Sequence, residues 1–146
     1  KDAGIDLTIE NYEGAASPFV TASELLEAKA AAPSLKFTFD IGNAALGEDP
    51  VKTAKELAGN IAFCHFQDWN LLPEEQPGCI HGLDGRFYSK ALVGEGILDT
   101  SAVIRQLHDN GYDGYIDIEY VGRQYKPAEG VAKAVKYLKE QFALLN

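Results

Sequence analysis

Four ionisable residues close four β-rich runs: Glu10 in Ile5–Glu10 (IDLTIE), Asp40 in Lys36–Ile41 (KFTFDI), His65 in Ile61–Phe66 (IAFCHF) and Glu119 in Tyr115–Tyr120 (YIDIEY). Side chains alternate faces along a strand, so parity sorts these residues. Glu10 goes with Thr8 and Asp6, opposite Leu7 and Ile9; Asp40 goes with Thr38 and Lys36, opposite Phe37 and Phe39. Glu119 goes with Asp117, opposite Ile116 and Ile118, and His65 goes with Phe63 and Ile61. All four fall on the less apolar face, at the carboxyl ends where parallel α/β folds bind ligands. Three carboxylates and an imidazole gathered there repel one another unless a cation neutralises them. Oxygen and nitrogen donors without a thiolate suit one divalent ion, Mn²⁺ first, with Mg²⁺, Co²⁺ or Zn²⁺ also able to fit.

The elements that must position these residues alternate. Thr21-Ala22-Ser23-Glu24 opens a helix to about Ala32, where Pro33 stops it, and Asp49-Pro50 opens another through Ala58 with Gly59 at its end. Asp99-Thr100-Ser101 caps a third to about Asn110-Gly111, and Pro127 through Leu144 carries a fourth. Gly42-Asn43 breaks the second strand. Residues 69–95 hold Pro73, Pro77, Gly78, Gly82 and Gly85 without sustained periodicity, and are expected to be a long functional loop. Strands alternating with helices predict a parallel sheet covered by helices, in one unit over residues 1–146. Two architectures fit: a small open doubly wound sheet, which the length favours, or a (βα)₄ half of an eight-stranded barrel that needs about 250 residues in full.

Composition narrows the function. The chain has 146 residues, with 13 Lys+Arg against 22 Asp+Glu for a net charge of −9. An acidic chain lacks the basic footprint that nucleic acid or an anionic membrane demands, and no apolar run is long enough to span a bilayer. Cys64 and Cys79 are the only two cysteines and lack CxxC spacing, so free thiols in a reducing, cytoplasmic compartment are expected. The start, Lys1-Asp2-Ala3-Gly4, reads as no signal peptide, and the sequence contains no Met, which suits an excised or processed start.

Five short segments in order resemble landmarks of the xylose-isomerase-like TIM barrels, the sugar phosphate isomerase/epimerase group. They are Leu7-Thr8-Ile9-Glu10-Asn11, Phe39-Asp40-Ile41-Gly42-Asn43, Cys64-His65-Phe66-Gln67-Asp68, Val93 to Asp99 (VGEGILD), and Gly111-Tyr112-Asp113-Gly114 with Ile118-Glu119. The resemblance covers the carboxyl-terminal half of that barrel, strands five to eight. It implies that Glu10, Asp40, His65 and Glu119 are metal ligands, with both glutamates also acting catalytically by exchanging protons with a sugar substrate. Many members carry His where this chain has Asn43, which can hydrogen-bond a hydroxyl but cannot shuttle a proton.

The chemistry implied is proton abstraction beside a sugar carbonyl through a metal-bound enediolate, giving an epimerase or isomerase. Loss of a β-substituent from the same species would give a dehydratase or lyase. A non-catalytic half-barrel subunit is the reading from another class. Three histidines and the −9 charge disfavour the abasic-site endonuclease branch. Further substrate-binding candidates are Asn43, Asp68, Trp69, His81 and Arg86. Asp68 could instead orient His65, add a ligand or cap a loop; His81 and Arg86, with Lys90, could clamp an anionic group; Trp69, with Phe87 and Tyr88, could stack on a sugar ring. Tyr12, Tyr120 and Arg123 are expected near the pocket, Glu95 in a turn, and His108 on the surface. Four strands cannot close a barrel, so a homodimer or a complementary amino-terminal half is the expected partner.

Overall fold

The computed structural model describes residues 4–14 and 17–145; Lys1, Asp2 and Ala3, the expected opening of the chain, lie outside them. Four strands form a parallel sheet in the order β1-β2-β3-β7: β1 (Thr8–Glu10), β2 (Lys36–Asp40), β3 (Ile61–Phe66) and β7 (Ile116–Ile118). Helices α1 (Ala22–Ala31), α2 (Ile41–Ala45), α3 (Pro50–Glu56), α4 (Thr100–Asp109) and α5 (Pro127–Ala143) complete a (βα)₄ half-barrel. The helix starts are chemically marked. The Glu24 carboxylate accepts from Thr21 N at 2.8 Å, Asp49 from Val51 N at 2.9 Å, and Asp99 from Ala102 N at 3.0 Å, each satisfying an amide that a helix start orphans.

The apolar faces of the strands pack against the helices as alternation requires. Phe37, Phe39, Cys64 and Phe66 are fully buried against Leu25 of α1, Val103, Ile104 and Leu107 of α4, and Ala134 of α5. Burying each phenylalanine contributes about 1.5–3 kcal/mol. The outer strands are shorter than expected: Ile5, Leu7 and Tyr115 are 75% exposed or more and lie outside β1 and β7.

Two local expectations need correction. Gly42-Asn43 does end the strand, but the chain turns at once into α2, because the Asp40 side chain caps it by accepting from Asn43 N at 2.7 Å. The expected loop over residues 69–95 is a small antiparallel sheet in the order β4-β6-β5, built from β4 (Asp68–Leu72), β5 (Ile80–His81) and β6 (Phe87–Ala91). Its strands are too short to show periodicity, and Pro73, Pro77 and the glycines punctuate the turns between them. Leu46, Trp69 and Tyr88 form a separate buried cluster beneath it.

Candidate metal and catalytic site

Parallel pairing brings the strand ends into one place. Asp40 of β2 is in register with His65 of β3, and His65 with Asp117 of β7. Glu10 ends β1, and Glu119 follows β7 directly, its amide donating to Phe66 O at 3.0 Å. His65 Nδ1 lies 2.9 Å from Glu10 Oε1 and 3.2 Å from Glu119 Oε1. The Phe63 ring packs perpendicular to the imidazole, 5.5 Å away centroid to centroid. Donor atoms of Glu10, His65 and Glu119 all lie within 4.8 Å of one another. The three side chains keep some solvent access, so a small ligand can reach them.

Asp40 sits behind this group, fully buried. Asn11 holds it from β1: Asn11 Nδ2 donates to Asp40 O and Asp40 N donates to Asn11 Oδ1, both at 2.8 Å, extending the β1–β2 ladder by a side chain. Burial pushes the Asp40 carboxyl up to about 7, against hydrogen bonds from Asn43 N and the Gln67 amide that favour its charge; Glu10 and Glu119 push the same way as burial. Two carboxylates at one imidazole, with the buried Asp40 in register beside it, fit a divalent cation, whose charge relieves their repulsion.

The remaining candidates divide. Asn43 is buried beside the site, its Nδ2 donating to Asn11 O at 3.0 Å, while its Oδ1 has no hydrogen-bond partner among the described residues. Asp68 is fully buried and its carboxylate accepts from the amides of Trp69, Gly94, Gly96 and Leu98 at 2.8–3.1 Å. It is committed to holding the segment that follows the small sheet, so the loop-cap alternative describes its contacts. Trp69 is wholly buried, with Nε1 donating to Gly42 O at 2.7 Å; its ring is covered rather than open to a sugar. His81 ends β5 and Arg86 lies in the turn before β6, paired locally with Glu75 and Asp84 respectively. The structure does not bring them to the strand-end cluster through any hydrogen bond among the described residues.

Sequence reading missed two residues in this site. Asn11 closes the Leu7–Asn11 segment, where the sequence alone gives it no role. Gln67 follows His65 by two on the same face, a signal that parity offered, and its Nε2 donates both to Asp40 Oδ2 and, at 2.9 Å, to Glu119 Oε2.

A parallel half-barrel with acidic and imidazole side chains converging at its strand ends defines half of a TIM-barrel scaffold. The sequence matches the family model described as xylose isomerase-like TIM barrel over residues 1–141, and the chain belongs to that family. No curated protein sequence matches it. Among solved structures, it is similar to a D-tagatose 3-epimerase-like protein, with a TM-score of 0.75 and 26% identity over 99% of this chain and 49% of the other. It is also similar to a xylose isomerase domain protein from Planctomyces limnophilus, with a TM-score of 0.71 and 20% identity over 96% of this chain and 46% of that one. A xylose isomerase-like TIM barrel protein from Mycobacterium smegmatis, solved in complex with magnesium, gives a TM-score of 0.71 and 18% identity over 99% and 46%. The chain spans about half the length of these structures.

Proposed function

We propose that this chain carries the catalytic strand ends of a divalent-metal-dependent sugar isomerase or epimerase, with Mn²⁺ as the preferred ion. The observation that carries this reading is the convergence of Glu10, His65 and Glu119 within 4.8 Å in front of a buried Asp40. Membership of the xylose isomerase-like family supports it, as does the likeness to the D-tagatose 3-epimerase-like protein. Glu10, Asp40, His65 and Glu119 would hold the ion. When bound, it would polarise a sugar carbonyl and its neighbouring hydroxyl and offset negative charge developing on them.

The chain's own residues supply the proton chemistry. Glu10 and Glu119 approach the His65 ring together, so a substrate carbon presented there meets two carboxylates. One accepts a proton and the other returns it, to the opposite face of the same carbon for epimerisation or to the neighbouring carbon for isomerisation. Asn43 Oδ1, buried and without a hydrogen-bond partner among the described residues, would accept from a substrate hydroxyl that reached it.

The test is solvent-deuterium incorporation into a panel of ketoses by the Mn²⁺-supplemented chain, with product analysis to separate epimer, isomer and dehydrated product. Loss of both Mn²⁺ binding and exchange in Glu119→Gln is expected. Full exchange in that variant overturns the proposal.

The sheet edges support a second part of the reading. Ile5, Leu7, Tyr115 and Val121 flank β1 and β7 at 63–81% exposure, beside two strands whose outer edges invite pairing. Further strands, from a second copy or an amino-terminal half-barrel, would cover them. The mass in solution tests this, since a chain that stays monomeric with or without such a partner overturns it. Free Cys64 and Cys79 support a reducing compartment, the cytoplasm.

A further inference from the structure

We infer that Gln67 is a positioning residue of the metal site and that Lys90, on the small antiparallel sheet, sets its orientation. The inference rests on the metal-site reading above and adds residues to it. Gln67 follows β3 with its side chain between two carboxylates contributed by different strands. Both N–H groups of its amide are used, one on Asp40 Oδ2 and one on Glu119 Oε2. The carbonyl end, Oε1, accepts from Lys90 Nζ at 2.6 Å.

This arrangement has one chemically consistent orientation. The Lys90 ammonium only donates and the Glu119 carboxylate accepts, so a flipped amide would set donor against donor at Lys90 and acceptor against acceptor at Glu119. Lys90 is itself held from three sides. Its Nζ lies 2.9 Å from Glu13 Oε2, 3.9 Å from the centroid of the Trp69 ring, and against Gln67. Trp69 is its cross-strand partner in the β4–β6 pair, and Glu13 belongs to the segment after β1. The backbone makes room for the bridge: a Cβ on Gly42 would stand 2.7 Å from Gln67 Cβ. Groups that orient ligating carboxylates without touching the ion typically alter metal affinity by about 10–100-fold. The small sheet therefore acts on the site through one side chain, by keeping Asp40 and Glu119 in their rotamers.

The experiment measures Mn²⁺ affinity by calorimetry, with no substrate present. Gln67→Met and Lys90→Met keep side-chain volume, and circular dichroism checks that each variant is folded. Gln67→Met should weaken Mn²⁺ binding by about 10–100-fold. Lys90→Met should weaken it less, and Gln67→Met/Lys90→Met should be no weaker than Gln67→Met alone, because residues acting through one contact are not additive. Lys90→Arg, which still donates, should retain wild-type affinity. Unchanged affinity in folded Gln67→Met, additive losses in the double variant, or a Lys90→Arg as weak as Lys90→Met would each overturn the inference. Glu119→Gln separates the two ideas: if it abolishes Mn²⁺ binding while Gln67→Met does not change it, the metal site stands and the role of Gln67 falls. A wild type that takes up no Mn²⁺ overturns both.

Discussion

Glu10 and His65 are 55 residues apart and on strands separated by β2, yet Glu10 Oε1 lies 2.9 Å from His65 Nδ1. The contact reaches across the end of β2, whose own Asp40 lies buried between them in the strand order. Such a meeting needs the curvature and parallel register of the sheet, and it sets the chemistry available at the site.

Glu10→Gln keeps the shape of that contact and removes its charge and basicity. Deuterium exchange into a responsive ketose should fall by at least about 100-fold, the scale for loss of a positioned acid–base group. Mass spectrometry of the recovered sugar measures it, and exchange within a few-fold of wild type would remove Glu10 from the proton chemistry.

Asp68 should matter for stability more than for proton transfer. Its carboxylate satisfies four backbone amides, of Trp69, Gly94, Gly96 and Leu98. Asp68→Ala leaves these donors competing for water in a buried site and should cost about 3 kcal/mol or more. Urea unfolding followed by the single tryptophan reads this directly.

Acid should unfold the protein partly through two glutamates that tie α1 to its surroundings. Glu48 Oε1 accepts from Ala22 N at 2.6 Å and from Thr53 Oγ1 at 3.0 Å, and its Oε2 pairs with Lys52. Burial pushes its carboxyl up, but hydrogen bonds from Ala22 N, Lys52 and Thr53 outweigh this and hold it below the ordinary value of 4.5. The Thr21 amide does the same for Glu24, also below 4.5. A carboxylate with a depressed folded pKa contributes stability that is present above its unfolded pKa and lost as pH falls through the folded one. The melting temperature should therefore drop below pH 4.5, and Glu48→Gln should be less stable at pH 7 with a shallower acid limb. Thermal melts of both proteins from pH 7 to pH 3 check the sign.

The two thiols should separate by reactivity. Cys64 is fully buried and burial pushes its thiol up to about 12, whereas Cys79 sits on the small sheet's turn with partial exposure. Iodoacetamide under native conditions should label Cys79 alone, with Cys64 reacting only in denaturant. Peptide mapping shows which sulfur carries the adduct.

The small sheet explains where sequence reading stopped. Asp68–Leu72 and Phe87–Ala91 are each five residues long, too short for alternation to stand out among the prolines and glycines between them. Their pairing partners lie about twenty residues away, so nothing local announces that Trp69 faces Lys90. Gln67 gives no signal of its role in the sequence for a related reason: an amide beside a charged residue has no chemistry of its own until the groups around it are known.

What the sequence by itself determined was everything carried by local periodicity and capping. The order of the four parallel strands with α1, α3, α4 and α5, the face of each strand that bears Phe37, Phe39, Cys64 and Phe66, and the placement of Glu10, Asp40, His65 and Glu119 at strand ends follow from side-chain alternation and helix-start signals, which need no distant partner. Tertiary structure alone decided which of these groups touch. Burial enclosed Asp40 while Glu10, His65 and Glu119 kept solvent access, parallel register placed His65 between two glutamates, and the small sheet put Lys90 on Gln67. Those outcomes depend on contacts between residues tens of positions apart, and only the folded chain brings them within hydrogen-bonding distance.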